Sequence, residues 1–166
     1  MLFRSRGNHA IAKKHFEDGL IVFNRIRNLN FQMVLKSELG HIERHTGNLA
    51  KAKSLYQETI KGWQEMGNRS AVARELECFG FLAIAEEEPQ RAIKLFSAAE
   101  ALREKIESQM TDFEQVEYNQ SMAQLRSMLP EAEFNVLWSE GRSMGMERAI
   151  ELALESGDRG RGAGNK

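Results

Sequence analysis

Cysteine, proline, long apolar runs and surplus charge are all scarce in this 166-residue chain, and each scarcity closes off a class of protein. A single cysteine, Cys78, excludes an internal disulfide, and no Cys/His cluster has zinc-finger spacing. Reduced, cytoplasmic residence is the expectation. No apolar run approaches the roughly 18 residues that cross a bilayer. The opening stretch, Met1 to Arg6, has basic residues with no apolar segment behind them, so it does not read as a secretory signal. A formal net charge of -1 offers no excess of Lys and Arg for a polyanion, and no nucleic acid or membrane partner is expected. There is no GxxxxGK[ST] phosphate loop and no recognisable nucleophile–base pair. No catalytic residue, cofactor or metal is therefore assigned. Two prolines and abundant Ala, Leu, Glu and Lys favour a mostly helical chain, within the size of one ordinary domain.

What the chain does have is a period of forty residues. Gly7-Asn8 returns as Gly47-Asn48, with Glu87-Glu88 in the third position. Ala12, Ala52 and Ala92 follow at a constant offset, then the aromatics Phe16, Tyr56 and Phe96. Ahead of the turns, Leu39-Gly40 returns as Phe79-Gly80. Such a period marks stacked helical hairpins, each too small to bury its own apolar face. In the second repeat, Phe31, Leu35, Leu39 and Ile42 space a helix ending near Thr46, Gly47-Asn48 forms a C-cap and N-cap, and a second helix runs from about Leu49 to Met66. The third repeat spans about Ser70 to Ser108, its turn carrying Glu86-Glu87-Glu88-Pro89. The acidic run suits a helix N-terminus better than a metal site. Gly40 and Gly80 against Ala52 and Ala92 predict close helix approach, small residue against small.

The first repeat keeps only its second helix, from about His9 to Arg27. Its stripe Ala12, Phe16, Leu20 and Phe23 has no partner helix, which predicts either further chain packed there or self-association as a homodimer. After Ser108 the period stops. Thr111 caps a helix to about Met128, Pro130 opens another that Gly141 closes, and a last helix runs from Met146 to Leu154. The expected organisation is repeats over 1–109 (partial 1–29, full 30–69 and 70–109), a helical cap over 110–156, and a disordered Gly- and Arg-rich tail over 157–166.

The Leu-Gly pair, turn glycine, alanine and aromatic (Leu39-Gly40, Gly47, Ala52, Tyr56, then Phe79-Gly80, Ala92, Phe96) resemble the tetratricopeptide repeat in a longer form. Glu43 and Ala83 stand where that family prefers tyrosine. The resemblance implies an all-α, right-handed TPR-like helical-hairpin solenoid with a C-terminal helical cap. The stretches Ser97 to Glu104, Trp138 to Met144 and Glu147 to Ile150 further resemble the C-terminal end of bacterial STAND-type ATPase regulators, where such repeats sense or recruit, ahead of a DNA-binding domain or behind a cyclase.

In tetratricopeptide repeats the first helices line a concave groove. By position this implies Ser37, His41, Arg44 and His45 from the second repeat and Glu77, Phe81 and Ile84 from the third. A basic patch beside an apolar one fits an acidic or amphipathic peptide, so a protein or peptide partner is expected. Small-molecule sensing on behalf of an attached ATPase is the alternative. The bland readings weigh elsewhere. His41 and His45 share a helix face but follow neither HExxH nor HxxEH. Cys78 reads as a buried thiol, and Trp63 and Trp138 as core. Arg159 and Arg161 read as a solubilising tail.

Overall fold

The computed structural model describes residues 2–155, and every regular element among them is a helix. These are α1 (Leu2–Arg25), α2 (Leu29–His45), α3 (Leu49–Glu65), α4 (Arg69–Ala85), α5 (Pro89–Lys105), α6 (Asp112–Met128), α7 (Glu131–Arg142) and α8 (Met146–Leu154). From α1 to α5 each helix packs on its neighbours in sequence, so consecutive helices form hairpins. No described helix is long and apolar enough to cross a membrane. The tail from Ser156 to Lys166, with Arg159 and Arg161, lies outside the described residues.

The turns reveal a finer period than the side chains do. Left-handed residues fall at Arg27, Gly47, Gly67, Glu87 and Glu107, one every twenty positions. At each, two amides reach back over the helix end. The Gly47 N–H donates to the Arg44 carbonyl at 3.1 Å and the Asn48 N–H to the Glu43 carbonyl at 2.8 Å. The pattern recurs where Asn28 donates to Phe23, Asn68 to Trp63, Glu88 to Ala83 and Ser108 to Arg103. This pairing satisfies carbonyls that a helix end otherwise leaves bare. The residue that completes one helix also starts the next. The Asn28 and Asn68 side chains accept from the amides of Phe31 and Ala71 at 3.2 and 3.0 Å. Helices α2 to α5 are consequently all 17 residues long.

Only glycine adopts a left-handed backbone without strain, and Glu87 sits there at φ 61°. Glu87→Gly is expected to stabilise the chain by about 0.5–1 kcal/mol, the relief of strain exceeding the entropy added to the unfolded state. Urea denaturation checks this, with Gly47→Ala expected to shift the midpoint the other way.

Gly7-Asn8 does not form the turn expected from the repeat. α1 runs unbroken across it, so the segment 1–29 holds one long helix rather than the remnant of a hairpin. A helical glycine costs only about 1 kcal/mol. The stripe Ala12, Phe16, Leu20 and Phe23 is half-buried, on the helix that packs against α2. Phe23 stacks on Phe31 with ring centroids 4.7 Å apart, and Lys13 pairs with Glu43 at 2.7 Å. Among the described side chains of α1, the large apolar ones left exposed are instead Ile11, Ile21 and Val22.

The core runs through α3, α4 and α5, where Tyr56, Leu76, Phe79, Ile93, Leu95 and Phe96 are fully buried. The helical glycines act differently from the small-against-small expectation. A Cβ on Gly40 would lie 2.5 Å from the Tyr56 ring, and one on Gly80 2.7 Å from the Phe96 ring. Each glycine makes room for an aromatic ring, and Ala52 and Ala92 are buried alongside. Gly141 likewise does not close its helix. It lies inside α7, where a Cβ would stand 2.4 Å from the Lys94 carbonyl oxygen, so it sets how closely α7 approaches α5.

The helices beyond Ser108 divide in two. α7 packs along α5, and α8 sits against α5 and α4. α6 behaves otherwise: Leu125 is buried near its end, while Phe113 and Val116 at its start remain 87% and 59% exposed. Its N-terminal half bridges toward α2 and α4, over a cavity.

Candidate functional site

Forty-residue spacing brings the matching faces of α2 and α4 side by side, and α6 crosses them. Between them lies a cavity of about 720 Å³, its walls including His41 and His45 from α2, Cys78 and Phe81 from α4, and Phe113, Val116 and Tyr118 from α6. α6 begins at a capping box: the Thr111 hydroxyl accepts from the Glu114 amide at 3.3 Å, and the Glu114 carboxylate accepts from the Thr111 amide at 2.8 Å. This fixes Glu114, and with it the direction in which the helix sets out.

Two ion pairs hold that first half of α6 across the cavity. Arg74 Nε meets Glu114 at 3.1 Å while its other end meets Glu38 at 2.8 Å. Arg44 Nη2 meets Glu117 at 2.6 Å. The Arg44 side chain is only 9% exposed, lies 5.1 Å over the Phe81 ring, and its Nε is buried with no acceptor. A buried donor left unbonded costs roughly 1–3 kcal/mol. Farther along, Tyr118 packs edge-on against Phe96 at 5.6 Å and its hydroxyl donates to Glu100 at 3.3 Å.

The residues implied as groove-lining divide. His41, His45, Glu77 and Phe81 all border the cavity, and Arg44 lies beside it. Ser37 is 2% exposed and faces a smaller cavity of about 400 Å³ instead. Ile84 packs against the core. Glu77 is 3% exposed and is turned toward Arg103, which grips both its oxygens at 2.6 and 2.9 Å.

His41 sits within 3.1 Å of the Tyr56 hydroxyl through Nδ1, with Cys78 Sγ 3.8 Å from its Nε2. Burial, with Arg44 and Arg74 adding repulsion, lowers the imidazole to about 3. Burial pushes the Cys78 thiol well above its ordinary value. Both groups are uncharged near neutral pH, so the pair holds no thiolate. His45 is occupied differently: it stacks on His9 at 6.1 Å and touches the Arg44 guanidinium at 3.2 Å. A cation beside either imidazole would meet that guanidinium. Among the described residues, no three His, Cys, Asp or Glu side chains are grouped to hold a metal ion.

Glu75 is the residue that sequence reasoning missed. It is 1% exposed, lines the smaller cavity with Ser37, and one carboxyl oxygen has no hydrogen-bond partner. Burial raises it to about 7. A signal was present: Val72, Glu75, Leu76 and Phe79 fall at i, i+3, i+4 and i+7, which places a carboxyl in the middle of an apolar stripe.

Compared with protein-family models, with curated proteins and with solved structures, the chain matches none.

Proposed function

We propose that this chain is a TPR-like helical-hairpin solenoid serving as a non-enzymatic recruitment module, part of a bacterial signalling or transcription regulator, that binds a peptide or protein segment in its concave groove. The fold part of this reading is supported by four consecutive 17-residue helices joined by one repeated turn, with glycine beneath the aromatic ring in both full hairpins. The observation that carries the function is the cavity between α2, α4 and α6, where Phe81 and His45 adjoin charged side chains at a mouth bordered by exposed Phe113 and Val116. Apolar surface set beside charged side chains is what an amphipathic segment requires.

A cross-linked pull-down from native lysate tests it, with the rim variant His45→Asp and the floor variant Phe81→Ala as matched controls of unchanged helix content. The expected result is a protein recovered with the parent chain and lost with both variants. Equal recovery by all three chains overturns the groove as the binding surface.

The size of the cavity favours one second reading. About 720 Å³ falls in the range of small-molecule sites, which supports effector sensing on behalf of an attached ATPase. A metabolite that raises the melting temperature of the parent chain but not of Phe81→Ala would select that reading.

A further inference from the structure

We infer that α6 is an internal occupant of the groove and that the external partner is an amphipathic helix carrying two carboxylates three residues apart, next to a large apolar side chain. This rests on the recruitment reading above and names the partner that reading leaves open. The start of α6, as far as Glu117, is tied down by charge, and its packing begins only at Tyr118. Glu114 and Glu117 sit three apart and meet Arg74 and Arg44. The apolar side chains between and before them, Val116 and Phe113, border the cavity yet stay 59% and 87% exposed. α6 thus has the charge pattern the groove demands and fills the apolar space poorly.

With α6 lifted, the floor presents Arg44 and Arg74 against Glu38 alone, because Glu77 is neutralised by Arg103 and His41 is uncharged. That floor selects carboxylates. The unbonded Nε of Arg44 offers a donor that Glu117, bound at Nη2, does not reach. A helix presenting the same carboxylate spacing, with a large apolar residue aimed at Phe81, satisfies the same arginines and fills the cavity as well. It therefore displaces α6. Only the start of α6 needs to lift, because Ser121 and Leu125 are buried and Tyr118 and Met122 pack against the core, all beyond Glu117.

The test selects displayed, helix-constrained random peptides on the full chain carrying Glu117→Lys, in which the tie to Arg44 becomes a repulsion. Glu117→Gln serves as a second bait that keeps the shape of the side chain. Circular dichroism checks that both fold. The expected winners carry acidic residues three apart beside an aromatic or leucine. They should bind both baits at least tenfold tighter than the parent chain and lose at least tenfold on Arg74→Gln. Winners that are neutral or basic, but still lost on Phe81→Ala, overturn this inference and leave the recruitment reading standing. No Phe81-dependent winner at all overturns both.

Discussion

Glu75→Gln is expected to raise the unfolding free energy near pH 8 by about 3 kcal/mol while leaving it almost unchanged near pH 4. The Glu75 carboxyl titrates at about 7 in the fold, against 4.5 when free. Between those values the native state holds a proton that the unfolded chain has released. The stabilisation is therefore complete below 4.5 and is lost as pH climbs through 7. The amide cannot ionise, so it keeps the low-pH stability throughout. His41 works in the opposite direction. Its imidazole stays neutral down to about 3 against an ordinary 6.5, so its contribution is full above 6.5 and fades as pH falls toward 3. The parent chain should thus be most stable at mildly acidic pH and weaken on either side. Urea titrations near pH 4, 6 and 8 check this. Equal midpoints for both chains near pH 8 would mean that a charged Glu75 is accommodated in the fold.

The second large effect falls on the buried pair of Glu77 and Arg103. Their side chains are 4% and 9% exposed, and both carboxylate oxygens are bound. Arg103→Ala leaves a carboxylate stranded in an apolar setting and is expected to destabilise by about 3–5 kcal/mol. It should also loosen the start of α6, because Arg103 reaches the Ser108 hydroxyl and the Gln109 carbonyl, both at 3.3 Å. Two ions removed together leave no stranded charge. The double variant Glu77→Gln/Arg103→Met should therefore recover at least half of the loss. A double variant no more stable than Arg103→Ala would place the cost in lost packing rather than in charge.

Much of the helical framework was legible because helix ends are written locally. Gly47-Asn48, Gly67-Asn68 and the Thr111–Glu114 capping box announce their boundaries within a few residues. The twenty-residue step was not, because Arg27, Glu87 and Glu107 adopt the left-handed turn without the glycine that would mark it. Gly7-Asn8 misled for the converse reason: the dipeptide permits a turn but does not compel one. The placement of α6 was out of reach altogether. What positions it is Arg44 meeting Glu117, seventy-three residues away, and no periodic pattern records such a pairing. The burial of Glu77 was hidden in the same way, its partner Arg103 standing 26 residues away on the following helix.

The repeated turn has a kinetic consequence. Every hairpin from α1 to α5 pairs neighbours in sequence, so most of the framework forms through short loop closures rather than distant encounters. Any of these hairpins can nucleate and recruit the next, as expected of a one-dimensional array. α6 stands outside that scheme, because its contacts with α2 and α4 close only after both are in place. Amide hydrogen exchange should accordingly separate it from the rest, as a segment that opens and recloses many times within the lifetime of the folded array.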